Sequence, residues 1–308
     1  MKKIGLSSAL LLVTSITNAS DLSQKKVASV ALGDVISVSL SDVHPTQPSV
    51  GYDQVYYKLG RYQNDTKKMF DEICEANGQK GLAHFDEQSD PKKPSSFECK
   101  EEVGERIKDM KTIVVAPNGQ YYLTDGHHTF NVFWHMPEGG DDFNVSVVVD
   151  NDYRNLPSMD KFWQAMVADG NTWLYDSEGT AMSHTQLPAT LGLDHFENDQ
   201  YRSMMYFSRD VGWDKPKSPI PFLEFYWSKE VRKGIDVANF DLMTAEGYRN
   251  AITSVSQYLL AMDTDNVGES GKSVKEMGQF DKFGQKGLDK LFRKTGKVTY
   301  MLDYKVNQ

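Results

Sequence analysis

The chain has 308 residues, 39% of them hydrophobic and 25% charged, with 34 basic against 43 acidic side chains and a formal net charge of −9. That length and apolar content exclude a disordered chain and allow one large or two modest domains around a buried core. The acidic balance opposes any general attraction to nucleic-acid phosphates, which a protein of this charge meets only through a local basic patch.

Residues 1–19 start with Lys2 and Lys3, run apolar from Ile4 to Ile16 and end in the small-residue sequence Thr-Asn-Ala at Ala19. This is the pattern of a cleavable bacterial signal peptide. As a membrane anchor the run is short and rich in Ser and Thr, since about 20 apolar residues are needed to span a bilayer. The expected location is the periplasm or the medium. Without Lys2 and Lys3 the balance becomes 32 basic to 43 acidic. In an oxidising compartment Cys74 and Cys99 are expected to form a disulfide, with two buried thiols as the alternative. Their surroundings lack the further Cys or His that a zinc site needs.

Val35 to Leu40 places Ile36, Val38 and Leu40 on alternate positions and predicts a half-buried strand. A polar loop with Pro45, Pro48 and Gly51 follows. Residues 62–109 are charged and helix-permissive, broken by the loop sequence SDPKKPSS beside Cys99, and read as an insertion with one or two helices. "TIVV", the turn Pro117 to Gly119 and "YYL" predict a hairpin. "DGHH", Asp125 to His128, comes directly after it. Phe130, Phe133 and Trp134 then predict a helix, stopped by Pro137, Gly139 and Gly140, and Asn144 to Val149 predicts another strand.

The second half predicts helices: one capped by Ser158, one over Tyr201 to Asp210, one starting at Pro221, and one opened by Thr244. The last carries Tyr248, Ile252, Val255, Leu259 and Met262 along one stripe. Residues 263–308 read as a peripheral tail with one short helix around Leu288 to Phe292.

The chemistry-bearing stretch is "DGHH". A strand ending in Asp-Gly that turns directly into a helix presents free backbone N–H groups, a ready site for an anion. Gly126 lets a ligand approach the backbone, and His127 and His128 can donate hydrogen bonds to phosphate or move a proton. Asp125 can cap the helix or hold a divalent cation against a phosphate. The structural alternative is a capping Asp125 with one histidine packed and the other solvated. Arg202, Lys215 and Glu224 either line a cleft facing the histidines or brace two aromatic helices through an Arg202–Glu224 pair. The aromatics Trp163, Trp173, Tyr201, Phe222, Phe225 and Trp227 are expected in the core.

"IVVAPNGQYYLTDGHHTFNVFW" resembles the second box of the ParB/sulfiredoxin superfamily, and more closely its ParB-like nuclease group. "HPTQPSVGYDQVYYKLGRY", "FWQAMVADGNTWLYDSEG" and "YRSMMYFSRDVGWDKPKSPIPFLEFYWSK" resemble that group's opening, middle and closing segments, in order, over roughly residues 35–235. The resemblance implies a small α/β fold whose second box faces phosphates, with Asp125, Gly126, His127 and His128 forming that face. Two positions depart from the pattern. Thr129 stands where many superfamily members carry a phosphate-clamping Arg. Gln47 stands where kinase-like members carry a carboxylate base, Asp53 being the nearest downstream carboxylate. A sulfiredoxin-type reaction would need a cysteine beside the loop, and Cys74 and Cys99 lie outside it.

The expected fold is α/β (α+β), a small mixed sheet with helices followed by a mainly helical C-terminal half. The expected units are a ParB/sulfiredoxin-like domain over 26–150 with the 62–109 insertion, a helical extension over 151–262, and the tail. The expected function is binding of a phosphate-bearing small molecule or nucleotide at "DGHH", with phosphodiester or phosphoryl chemistry. His127, His128 and Asp125 are the candidate catalytic residues, Gly126, Thr129, Gln47 and Arg202 the candidate ligand contacts, and a divalent metal on Asp125 the candidate cofactor. The alternative is a non-catalytic envelope or secreted interaction protein. DNA partitioning is opposed by the charge, the export signal and the lack of a basic helix-turn-helix.

Overall fold

Apolar residues at every second position build the sheet, and helix caps at Ser158 and Thr244 set the reading frame of the second half. The computed structural model describes residues 30–308, and the expected signal peptide lies outside the described residues. Val35–Ser39 forms β1, Val43–His44 β2 and Ser49–Val50 β3. Gly51 then opens a helix where only the start of a polar region was expected: α1, Tyr52–Asn64, which buries Val55, Leu59 and Tyr62 along one face.

Helix α2, Thr66–Ala76, follows after Asp65 and buries Met69, Phe70, Ile73 and Cys74. Strands β4, Leu82–His84, and β5, Glu98–Cys99, pair antiparallel, and a Cys74–Cys99 disulfide ties β5 to α2. Residues 62–109 are not set apart from the sheet. Met69, Phe70 and Ile73 share a core cluster with Ile113, Val145 and Val147, and the Ser146 N–H donates to the Asn77 side chain at 2.7 Å.

The hairpin is formed by β6, Lys111–Val115, and β7, Tyr121–Leu123, and leads into α3, His127–His135. Strand β8, Asn144–Asp152, precedes α4, Met159–Ala168, whose N-cap Ser158 accepts from the Lys161 N–H. The five-stranded sheet has the order β1-β8-β6-β7-β2 and is mixed, with β8 parallel to β6 and antiparallel to β1, and β2 parallel to β7. Alternation sorts its faces: Ile113 and Val115 join the cluster under α1, α2 and α3, while Val114 and Tyr122 pack against Phe162 and Trp163 of α4.

The helical half comprises α5, Gln200–Ser208, α6, Leu223–Val231, α7, Ala245–Ala261, α8, Gln285–Leu291, and α9, Lys297–Val306, after β9, Glu197–Asn198, pairs with β3. Thr244 caps α7 as predicted, its side chain accepting from the Gly247 N–H. Helix α6 starts at Leu223 rather than at Pro221, with Phe222 as N-cap. Trp163, Trp173, Phe225 and Trp227 are buried as expected.

Residues 263–308 are not peripheral. Val298 and Met301 of α9 are fully buried in the helical core, and α9 lies so close to α1 that a Cβ on Gly60 would stand 2.2 Å from the Tyr300 carbonyl oxygen. Lys305 donates to Asp53 of α1 at 3.0 Å, and the Tyr248 hydroxyl donates to the other Asp53 oxygen at 3.0 Å. The carboxylate therefore clasps α1, α7 and α9 together, and Asp53 is a structural anchor.

Candidate functional site

The site begins where β7 ends. The Thr124 N–H still pairs with the Thr112 carbonyl, and two residues later Gly126 takes φ +112°, a conformation that glycine adopts without steric cost. A Cβ there would also stand 2.7 Å from Lys111 Cγ. The chain thus turns beneath the Lys111 side chain and enters α3 at His127, its N-terminal N–H groups pointing out of the turn.

Asp125 does not cap this helix. Gly126 is the N-cap, and Asp125 instead accepts from Lys111 Nζ at 3.0 Å on a side chain that is 65% exposed. Lys111, then His127 and Lys215, hold its carboxyl below the ordinary range.

Both histidines are engaged by backbone amides of the segment before α1. The Thr46 N–H donates to His127 Nε2 at 3.0 Å, and the Gly51 N–H donates to His128 Nε2 at 3.0 Å. A ring nitrogen that accepts carries no proton, so each neutral imidazole bears its hydrogen on Nδ1. Burial pushes His127 down to about 3, opposed only by Asp125. Burial also holds His128 well below its ordinary value, reinforced by Arg202, His127, Lys215 and Lys111. Both rings are therefore neutral hydrogen-bond donors around pH 7, and neither holds a proton to give as a general acid. One histidine is packed as the structural alternative had it, but the other is bonded to Gly51 rather than merely solvated.

Arg202, from α5, is buried and lies 3.8 Å from Glu224 of α6, so the foreseen ion pair exists. It is not the tightest contact. Arg209 reaches the same Glu224 oxygen at 2.7 Å and Lys215 reaches it at 3.6 Å, placing three cations on one carboxylate. Burial works against the Glu224 charge, yet Arg202, Lys215 and Arg209 outweigh it and hold the group at about 2. Arg202 also donates to the Gln54 side chain at 3.1 Å. Its Nε, together with Ser49 Oγ and Ser203 Oγ, is buried without a hydrogen-bond partner among the described residues. Ser203 abuts Gly51, whose N–H holds His128, since a Cβ on Gly51 would stand 2.7 Å from the Ser203 hydroxyl.

Arg209 and Lys111 were not singled out from the sequence, because neither carries a local signature. Gln47 is buried and donates to the Ser49 carbonyl at 2.6 Å, bracing the loop. Thr129 lines a groove of 590 Å³ shared with Lys58, Lys80, Arg106, Lys108 and Lys111. Cys74 and Cys99 stand outside the site in their disulfide.

A divalent cation does not fit these residues. Among the described residues no cluster of three His, Cys, Asp or Glu side chains is arranged to hold a metal. Both Nε2 lone pairs are committed to backbone N–H groups, and Asp125, the candidate ligand, already has Lys111 as its counter-ion.

The family described as "Putative ParB-like nuclease" matches residues 36–233, which contain every element of this site. Among solved structures, the crystal structure of protein Atu1540 from Agrobacterium tumefaciens is similar, with a TM-score of 0.50 and 19% sequence identity, covering 74% of this chain and 93% of that one. At that identity the likeness is one of fold. No curated protein matches the chain.

Proposed function

The chain belongs to the ParB-like nuclease family, and on that premise we propose that its "DGHH" loop binds a phosphate-bearing ligand. The observation that carries the reading is the convergence of Arg202, Arg209 and Lys215 on the single carboxylate of Glu224, beside His128 at the start of α3. Three cations against one anion leave a local positive surplus on a chain whose net charge is negative. A helix N-terminus and two Nδ1–H donors add partial positive charge in the same place. Lys111, folded over Gly126 and paired with Asp125, places a cation at the loop where Thr129 carries none.

For phosphodiester or phosphoryl chemistry such a site offers stabilisation of developing negative charge. It does not offer a histidine acid, because His127 is pressed down to about 3 and His128 is held well below its ordinary value, so both rings are neutral at pH 7. That neutrality favours a second reading, in which the loop binds its ligand without turning it over. Calorimetric titration with nucleotides and short oligonucleotides, followed by product analysis of the mixtures, separates the two. Binding that is lost in Arg202→Gln supports the site, and product formation decides between catalysis and binding. Failure of every phosphate compound to bind would move the function to a protein partner.

The expected export belongs to the same proposal and is supported by the Cys74–Cys99 bond, since disulfides persist in oxidising compartments. Recovery of the protein from the periplasm or medium with Ser20 as its first residue would establish it, and recovery from the cytoplasm with residues 1–19 intact would refute it.

A further inference from the structure

We infer that the protein has a second anion site, apart from the "DGHH" loop itself but sharing Arg209 with the cluster at Glu224, in which Lys58 and Arg61 of α1, Arg209 after α5 and Lys297 of α9 take a tetrahedral dianion such as inorganic phosphate or a phosphate monoester. The four cations gather around two tyrosine rings whose centroids lie 6.1 Å apart, Tyr57 and Tyr206. Lys58, Arg61 and Lys297 stand 5.9, 5.5 and 6.0 Å from the Tyr57 centroid, and Arg209 and Lys297 stand 5.4 and 4.6 Å from that of Tyr206.

Of the carboxylates nearby, Glu72 is fully engaged, while Glu75 acts on Lys58 and Arg61, and Asp210 on Lys297, only through space, neither forming an ion pair among the described residues. Both oxygens of Glu72 are taken, one by Lys58 at 2.5 Å and the other by Arg61 and the Tyr62 hydroxyl, each at 2.7 Å. Arg209 pairs with Glu224 at 2.7 Å. Lys297 forms no ion pair or hydrogen bond with any described residue and has only the two rings beneath it. Arg61 Nε and Arg209 Nε are buried donors without an acceptor among the described residues.

Holding like charges together in a half-buried place is costly unless an anion is shared among them. The cost registers on Lys297, which burial and then Arg209 press down to about 8, with Asp210 opposing and Lys58 and Lys290 adding to the effect. Ring faces help to hold cations but satisfy no N–H donor. A phosphoryl dianion supplies what the rings lack, namely several acceptor oxygens for the guanidinium donors and the Lys297 ammonium. The lysine and arginine side chains retain partial solvent access, with Lys58 and Arg61 at 22% and Arg209 at 20%, so the group is reachable from outside.

The test is calorimetric titration of the full chain with inorganic phosphate and, separately, adenosine 5′-monophosphate, at pH 7 and fixed ionic strength, with adenosine as control. A saturable binding event that weakens at least tenfold in Lys297→Gln and persists in His128→Ala is the expected result. Binding of phosphate alone or of the monoester as well distinguishes a free anion from the end of a larger ligand. Absence of binding in the wild type, or an unchanged event in Lys297→Gln, overturns the inference.

Acetylation of the wild-type protein by an N-hydroxysuccinimide ester gives a second readout free of folding effects. The Lys297 amine attacks the ester and N-hydroxysuccinimide leaves. Phosphate is expected to slow labelling of Lys297 severalfold relative to exposed Lys294, and equal labelling with and without phosphate overturns the site. Because the His128→Ala arm addresses the loop alone, loss at one site is separable from loss at the other.

Discussion

The backbone N–H of Gly51 donates to Nε2 of His128 across 77 positions of sequence, at 3.0 Å. With the equivalent bond from Thr46 to His127, the segment leading into α1 fixes the tautomer of both rings and turns their Nδ1–H groups into the available donors. The histidine pair is thus held by backbone donors that would be lost if either ring were protonated.

Acid should unfold the protein earlier than its carboxylates alone would dictate. A histidine whose folded value is pressed from 6.5 to about 3 is neutral in the folded chain and charged in the unfolded one between those values. The unfolded state then binds more protons, so stability is fully present above pH 6.5 and is lost as pH falls. Each fully depressed histidine contributes about 1.4 kcal/mol per pH unit in that window. Urea titrations at pH 7, 6 and 5 should show the decline, with a shallower slope in His128→Gln. A flat profile down to pH 5 would contradict the buried, neutral pair.

Replacing Gly126 by alanine should cost about 1–3 kcal/mol, because a non-glycine residue is strained at φ +112° and its Cβ must displace the Lys111 stem. Ligand affinity should fall with it, since the same residue sets the direction of α3. Denaturant midpoints and calorimetry on one preparation check both effects.

Glu224→Gln should move stability and affinity in opposite directions. Removing the carboxylate leaves Arg202, Arg209 and Lys215 without a shared counter-ion, a change of about 3–5 kcal/mol when a buried partner is lost. A bound phosphate would then face a larger positive surplus and bind more tightly. Weaker phosphate binding in a variant that remains folded would contradict the placement of the ligand beside this cluster.

Asp53→Asn tests the assignment of that carboxylate as an anchor. It should lower stability by about 3–5 kcal/mol through the loss of the Lys305 pair, while ligand affinity stays within twofold. A selective loss of affinity or turnover at unchanged stability would instead place Asp53 in the site.

Reducing the Cys74–Cys99 bond, or replacing both cysteines by serine, should destabilise the fold by about 3.5 kcal/mol on the chain-entropy relation for a loop of 25 residues. The chain should remain folded, because Met69, Phe70 and Ile73 still hold α2 on the core.

What the sequence determined by itself was local. The alternation in β1, the apolar run of β6, the Pro-Asn-Gly turn, the Asp-Gly break before α3, and the caps at Ser158 and Thr244 are each written within a few consecutive residues, and each forms where it was expected. "DGHH" was legible for the same reason. Helix α1 was overlooked because Pro45, Pro48 and Gly51 obscured its start, although Val55, Leu59 and Tyr62 carry its periodicity.

Only the tertiary structure decided what the histidines are and which charges surround them. Their neutrality follows from burial and from N–H donors at Thr46 and Gly51, and the positive surplus follows from Arg209 and Lys215 arriving at a glutamate on another helix. Lys297 meets Lys58 and Arg61 only because α9 packs onto α1 at Gly60. Electrostatic energy depends on distance through space and on local dielectric. Neither quantity is encoded in the spacing of residues along the chain, so the charge of the site is a property of the fold.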